Sequence, residues 1–296
     1  PAYTGGQQAA VINVDDAHGR ALAAEIPLSR LLTCSCAVAG SGDVPADLSL
    51  RDYVVDAGGT HGMLVVRGRA LQRLRGLGKA SQGAGEQAGT ERCLEVSSRL
   101  VGGFNVANTL TALGLGLGLG LDMENMLVAL REFPGVPGRM ETVDAGQPFA
   151  VLVDYAHTPD SVRNVLETAR AVAKGRLLAV LGCGGDRDRG KRPQMGRAAE
   201  QLADRVFVTS DNPRSEDPLA IIDDILAGLE SPDAVVSEPD RRKAILAAVA
   251  EAQPGDVVLI LGKGHESGQE FSDRKIPFDD RVVARESLEQ IRGVGG

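Results

Sequence analysis

Leu177-Leu178-Ala179-Val180-Leu181 runs directly into Gly182-Cys183-Gly184-Gly185-Asp186-Arg187-Asp188-Arg189-Gly190-Lys191-Arg192. Five consecutive apolar residues leave no polar face. A strand made of them is buried on both sides, as a parallel strand beneath helices is. The abrupt change to glycine and charge marks where that strand leaves the core. The flanking sequence repeats the pattern: strands are predicted over 149–154, 205–209, 234–237 and 257–260, and helices over 159–173, 191–202, 218–229 and 241–252. Such regular alternation predicts an α/β domain with a doubly wound, mostly parallel, Rossmann-like sheet. Ligands of such sheets lie outside the carboxyl ends of the strands.

That rule selects four loops. One is Asp154-Tyr155-Ala156-His157-Thr158-Pro159, where Asp154 and His157 could form an acid/base or nucleotide-contact pair, or simply cap a turn. A second is the loop quoted above, whose glycines let backbone N–H groups approach an anion. Its Arg187, Arg189, Lys191 and Arg192 are read as cations for carboxylate or phosphate. In the third, Asp211 and Asn212 precede Pro213 and shape a turn from which Arg214 projects. The fourth is Leu261-Gly262-Lys263-Gly264-His265-Glu266. Four polar loops on one rim of one sheet carry more weight than any one of them. Other chemistries find little support. There is no Gly-x-Ser-x-Gly, no evident Ser-His-Asp set and no G-x-x-x-x-G-K-S/T phosphate loop. Gly182-x-Gly184 is only part of a dinucleotide fingerprint, which disfavours a nicotinamide cofactor.

Upstream the pattern changes. Phe133-Pro134-Gly135-Val136-Pro137-Gly138 stops any helix and serves as a linker, giving domains at 1–136 and 137–296. The first part predicts a strand at 10–14 and a helix at 18–26, with Asp15 and Asp16 between them to cap the helix or hold a ligand. A buried strand follows at 31–38, then a hairpin of 48–56 and 62–69 around Gly58-Gly59, a loop at 76–92 and a strand at 93–96. The Leu–Gly alternation from Leu113 to Leu121 has the period of a strand, yet Val106, Leu110, Leu113 and Leu117 share a helical face. A helix is predicted, one that needs a close neighbour to use its glycines.

Composition narrows the function. With 296 residues, two domains are expected. The 32 basic and 40 acidic residues give a charge of -8, a poor balance for displacing counterions from nucleic acid. Aromatics are 3% and Trp is absent, which argues against base-stacking platforms. Glycine, at 37 of 296 residues, exceeds the usual ~7% without a collagen period, which points to tight turns and phosphate-approaching loops. Cys34, Cys36, Cys93 and Cys183 form no C-x-x-C pair and are read as small core residues of a reducing compartment. No residue is expected to ligate a metal. No signal-peptide pattern or membrane-length apolar run is evident, so a cytoplasmic protein with no membrane insertion is expected.

Several of these stretches occur together, in the same order, in one family. Gly103-Phe104-Asn105-Val106-Ala107-Asn108, Val136-Pro137-Gly138-Arg139-Met140-Glu141, the loop from Asp154, Gly184-Gly185-Asp186-Arg187-Asp188, Lys191-Arg192-Pro193, Asp211-Asn212-Pro213-Arg214 and Gly262-Lys263-Gly264-His265-Glu266 resemble the Mur ligases, of the MurE type. The likeness runs from about residue 8 to about residue 290 and is looser between 30 and 100. It implies an ATP- and Mg²⁺-dependent amide ligase of peptidoglycan precursor synthesis. Such an enzyme activates the D-glutamyl carboxylate of UDP-N-acetylmuramoyl-L-alanyl-D-glutamate as an acyl phosphate for attack by a diamino acid. By the same resemblance Asn105 and Asn108 match positions near the adenine, and Arg139, Asp154 and His157 match nucleotide contacts, the last three also being the implied catalytic residues. Arg187, Asp211, Asn212, Arg214, Gly262 and Glu266 match the amino-acid pocket. Asp-Asn-Pro-Arg resembles the form that selects meso-diaminopimelate, whose extra carboxylate Arg214 and Arg187 would clamp. Family members also have an N-terminal UDP-binding domain, a Gly-Lys-Thr phosphate loop and a carbamylated lysine, all upstream of the stretch matching residues 8–20. The expectation is therefore the rear part of a central ATP-binding domain followed by a C-terminal domain, monomeric and inactive alone. A stand-alone diamino-acid-binding protein and a folate polyglutamate-type ligase are the other readings.

Overall fold

The computed structural model describes residues 9–36, 46–77 and 90–294. The chain divides into two compact units, Pro1–Pro134 and Gly135–Gly296. In the first, β1 (Ala10–Asn13), α1 (Ala17–Glu25), β2 (Leu31–Ser35), β3 (Leu48–Asp56), β4 (Gly59–Arg67), α2 (Gly68–Leu77), β5 (Glu91–Ser98), α3 (Gly103–Gly118) and α4 (Met123–Glu132) follow in order. The five strands form one sheet, β1-β2-β3-β4-β5. β1, β2 and β3 are parallel, and β3, β4 and β5 are an antiparallel meander. Leu32, Leu48, Leu64 and Val66 from the sheet pack with Leu110, Leu117 and Met123 from the helices.

The glycine-rich stretch is the helix α3, and its neighbours explain the glycines. A Cβ at Gly114 would lie 2.7 Å from Val11 Cγ1, and one at Gly118 2.6 Å from Ala9 Cβ. The missing side chains let the start of the sheet press against the helix. Asp16 caps α1 by accepting the Gly19 N–H at 2.7 Å, while Asp15 accepts from Ser35 Oγ and Cys36 N. Asp16 is thus the helix cap, while Asp15 ties the end of β1 to the end of β2.

Three expectations need correction. The strand expected to reach residue 69 ends at Arg67, because Gly68 turns to φ +50° and opens α2. Cys93 is exposed rather than in the core, since β5 is the last strand of its sheet. The strand expected to reach residue 38 ends at Ser35. Of the loop expected at 76–92, residues 76 and 77 close α2, 91 and 92 belong to β5, and 78–89 lie outside the described residues, as do 37 and 38.

The second unit comprises β6 (Glu141–Thr142), β7 (Ala150–Asp154), α5 (Pro159–Val172), β8 (Leu177–Cys183), α6 (Lys191–Leu202), β9 (Arg205–Ser210), α7 (Pro218–Leu226), β10 (Val236–Ser237), α8 (Arg241–Glu251), β11 (Val257–Leu261), β12 (Gly268–Glu270), β13 (Lys275–Pro277) and α9 (Asp280–Val294). Its six-stranded sheet has the order β10-β9-β8-β11-β7-β6. All pairings are parallel except β6 on β7. From β7 the chain crosses to β8, continues outward to β9 and β10, then returns to lay β11 between β8 and β7. That return sets the ends of β7, β11, β8 and β9 side by side, as the doubly wound topology requires. Every residue of β8 and β11 is buried. The strand expected over 234–237 keeps only two residues, because Pro232–Ala234 form a 3₁₀ turn. Among the described residues, no helix is long and apolar enough to cross a membrane.

Candidate functional site

Asp154 ends β7 and organises the rim. It is 3% exposed. Its Oδ2 accepts the Met140 N–H and its Oδ1 the Ala156 N–H, each at 2.8 Å. Burial raises its pKa, and these N–H groups and Arg139 act against that. With both oxygens engaged by main chain, Asp154 acts on its surroundings through the loops it holds. His157 Nδ1 lies 2.8 Å from the Tyr155 carbonyl. A carbonyl only accepts, so Nδ1 carries the proton and Nε2 is the nitrogen left for a ligand. Thr158 and Ser161 form a capping box at the start of α5. The Arg139 guanidinium sits 4.9 Å from the Tyr155 ring centre, and that ring also meets those of His157 at 4.7 Å and His265 at 5.4 Å.

A cavity of about 390 Å³ opens at these strand ends. Arg187, Asp211, Asn212, Arg214, Gly262 and Glu266 all line it, together with Tyr155 and His157. The six residues expected to share a pocket are therefore brought together. Asn212 Nδ2 donates to Glu266 Oε2 at 2.7 Å, and Asn212 Oδ1 accepts from Lys263 Nζ at 2.8 Å. Burial pushes the Glu266 carboxyl up, but Asn212 and Lys263 more than offset this and hold it below the ordinary value. Arg214 takes φ +54° and donates from Nη1 to the Gly185 carbonyl at 2.7 Å. Asp211 is 7% exposed, burial raises its pKa, and its Oδ2 has no hydrogen-bond partner among the described residues. Gly262 runs past that oxygen at φ +115°, where a Cβ would lie 2.4 Å from it.

The structure sorts the four cations of the loop after β8. Arg187, Lys191 and Arg192 all line the cavity, and Arg189 does not. Arg192 is 1% exposed and is committed elsewhere: it bonds Glu216 at 2.7 and 2.9 Å and Asp224 at 2.9 Å. It fastens α6 to the segment containing α7. Arg189 pairs with Asp224 at 3.1 Å and Lys191 with Asp188 at 3.9 Å. The reading of Arg189 and Arg192 as ligand cations is corrected accordingly, since carboxylates of the protein pair with both. Lys191, exposed and only loosely paired, stays on the cavity lining. Cys183 is also a cavity residue, and burial pushes its thiol up to about 12. Asn105 and Asn108 belong to the first unit. Asn105 Nδ2 donates to the Val101 carbonyl at 2.9 Å, and Asn108 Nδ2 to Asn105 Oδ1 at 3.2 Å. Sequence reasoning assigned no role to Tyr155 or Lys263. Their signal was present, since both sit inside loops it selected.

Residues 138–264 match the family described as Mur ligase, glutamate ligase domain. A protein of Synechococcus elongatus, named UDP-N-acetylmuramoyl-L-alanyl-D-glutamate--2,6-diaminopimelate ligase, is 46% identical over 290 residues, 97% of this chain and 52% of its own. The chain belongs to the Mur ligase family. A second relative of this Mur ligase, from Thermosynechococcus vestitus and of the same name, is 56% identical over 197 residues, 66% of this chain and 40% of its own. A solved structure of an enzyme with that name aligns at a TM-score of 0.66 and 36% identity, covering 96% of this chain and 54% of that one. The Mur ligase chain spans about half the length of the curated relatives it matches.

Proposed function

We propose that this Mur ligase chain carries the amino-acid site of an ATP-dependent amide ligase. The ligase would join meso-diaminopimelate to the D-glutamyl carboxylate of UDP-N-acetylmuramoyl-L-alanyl-D-glutamate, in peptidoglycan precursor synthesis. One observation supports the reading above others: a single cavity presents the guanidinium groups of Arg187 and Arg214 together with the carboxylates of Glu266 and Asp211. Both signs of charge in one cavity suit a ligand end that is itself a zwitterion. The far end of diaminopimelate is one, whereas the far end of lysine is a bare ammonium. Arg214 and Arg187 take the carboxylate through charge-assisted hydrogen bonds. Glu266 and the Gly262 carbonyl take the ammonium, with Asn212 holding Glu266 in place at 2.7 Å and Asp211 as a further acceptor. Lysine would offer these two guanidinium groups no carboxylate, leaving Arg214 only its protein partners, the Gly185 carbonyl at 2.7 Å and Glu270 at 3.5 Å, and Arg187 the Asp186 carbonyl at 3.0 Å. A site built for a group discriminates against an analogue lacking it.

The nucleotide side is assigned more sparingly. Arg139 and His157 are the proposed contacts, and Asp154 places them by holding Met140 and Ala156. Asn105 and Asn108 are the proposed adenine-side residues. No residue is assigned to magnesium or to the ATP phosphates. Among the described residues no group of three or more His, Cys, Asp or Glu could hold a metal ion. The 296 residues contain no G-x-x-x-x-G-K-S/T loop. The residues assigned above bind and orient the ligands.

Calorimetric titration of the 296-residue chain with meso-diaminopimelate, lysine and glutamate tests the proposal. Diaminopimelate should bind in preference to both. A preference for glutamate would overturn the assignment in favour of a folate polyglutamate-type ligase.

A further inference from the structure

We propose that Lys263 is the positioning residue of the ammonium end of this site: its buried Nζ, 2.8 Å from Asn212 Oδ1 and 3.2 Å from Glu266 Oε2, fixes both groups in the orientation that receives the substrate. The inference rests on the diamino-acid reading given above.

Lys263 has no solvent exposure. A buried ammonium is costly unless acceptors surround it, and two of its acceptors are cavity residues. An amide side chain can be turned two ways, and Lys263 selects one. Asn212 Oδ1 receives Lys263 Nζ at 2.8 Å and the Glu270 N–H at 3.0 Å. The reverse orientation would point its NH₂ at an ammonium and an N–H. Nδ2 must therefore donate, and it does so to Glu266 Oε2 at 2.7 Å. Glu266 Oε2 thus accepts from both Asn212 and Lys263, while Oε1 takes part in neither bond. One oxygen is anchored and the other is left for the ligand. Charge works in the same direction. The charged groups acting around the Glu266 carboxyl are Lys263 on its own loop, Arg214 and Asp211 on the loop after β9, and Arg241 at the start of α8. Lys263 is the cation among them that touches it.

The test uses Lys263→Met and Lys263→Gln in the full chain, the second keeping a donor for Asn212 while removing the charge. Binding of meso-diaminopimelate should weaken by about tenfold at pH 7, the loss of one well-held charged hydrogen bond. The Glu266 carboxyl, followed by carbon-detected NMR, should titrate about one pH unit higher than in the parent. The acid limb of binding should move up with it. An unchanged Glu266 titration in a folded variant overturns the positioning role whatever the ligand. A wild-type chain that binds no diamino acid, yet shows the shifted Glu266 titration in the variants, overturns the substrate reading and leaves the Lys263–Glu266 coupling standing. One readout needs no variant: the Lys263 Nζ resonance of the wild-type chain should move when meso-diaminopimelate is added. A resonance unmoved at saturation overturns the proposal.

Discussion

Arg241 and Asp280 form an ion pair at 2.7 Å with neither side chain exposed to solvent. The same guanidinium donates to the carbonyls of Leu261 at 2.9 Å and Ser210 at 3.3 Å. One buried cation therefore ties the starts of α8 and α9 to the residues immediately preceding Gly262 and Asp211. Removing one partner leaves the other as an uncompensated buried charge, which costs about 3–5 kcal/mol. Asp280→Asn should destabilise the second unit by roughly that amount in urea unfolding, whereas replacing both residues by apolar ones should cost less.

Arg192 hydrogen bonds hold the Glu216 carboxyl down to about 2, from an ordinary 4.5. A folded-state pKa below the unfolded one gives stability that is present above the unfolded value and is lost as pH falls toward the folded one. The contribution should be intact at pH 7 and drain away between 4.5 and about 2. Glu216→Gln should be less stable than the parent at pH 7, with the difference closing across that window. Urea midpoints at several pH values measure it, and a gap of constant size would refute the pairing.

Arg214→Ala should weaken meso-diaminopimelate binding by about 1.5–3 kcal/mol, the worth of a charged hydrogen bond. Lysine, which has no distal carboxylate, should lose little. Calorimetry with both ligands distinguishes a lost carboxylate partner from a general collapse of the pocket, which would penalise both.

Gly114→Ala sets two effects against each other. Helix propensity favours the alanine by up to about 1 kcal/mol. The new methyl, however, would lie 2.7 Å from Val11 Cγ1 and 3.2 Å from Leu48 Cδ1. Overpacking of that kind costs about 1–3 kcal/mol, so net destabilisation is expected in urea unfolding. Gly116→Ala should be milder, because the atom in its way is Met126 Sδ, at the end of a flexible side chain.

The second unit was largely legible because β7, β8, β9 and β11 each contain an apolar run with a polar loop after it. The cavity followed from that pattern: Arg187, Asn212, Arg214 and Glu266 sit in loops whose strands are neighbours. What escaped was the pairing of charges across long stretches of chain. Arg192 stands in the same loop as Arg187, yet its partners are 24 and 32 residues away at Glu216 and Asp224. Nothing local in Lys191-Arg192-Pro193 announces a buried side chain. Lys263 escaped for a related reason, since a lysine between two glycines reads as solvated until its acceptors are located. In the first unit the end of β4 was misplaced because valines continue to Val66 while the break is a backbone matter at Gly68.

The contact between the loops at Gly138 and Gly264 has a consequence for how this site can change. A Cβ on Gly138 would lie 2.1 Å from His265 N, and one on Gly264 would lie 2.6 Å from Tyr155 Cβ and 2.8 Å from the Gly138 carbonyl. Gly138 meets Gly264 and His265 main chain to main chain, and Gly264 packs directly on the Cα and Cβ of Tyr155. A side chain at either glycine would force these segments apart. A descendant of this chain that acquires a different amino acid must do so by exchanging side chains at positions such as Asn212 and Arg214. The close approach at Gly138 and Gly264 is the part least free to vary.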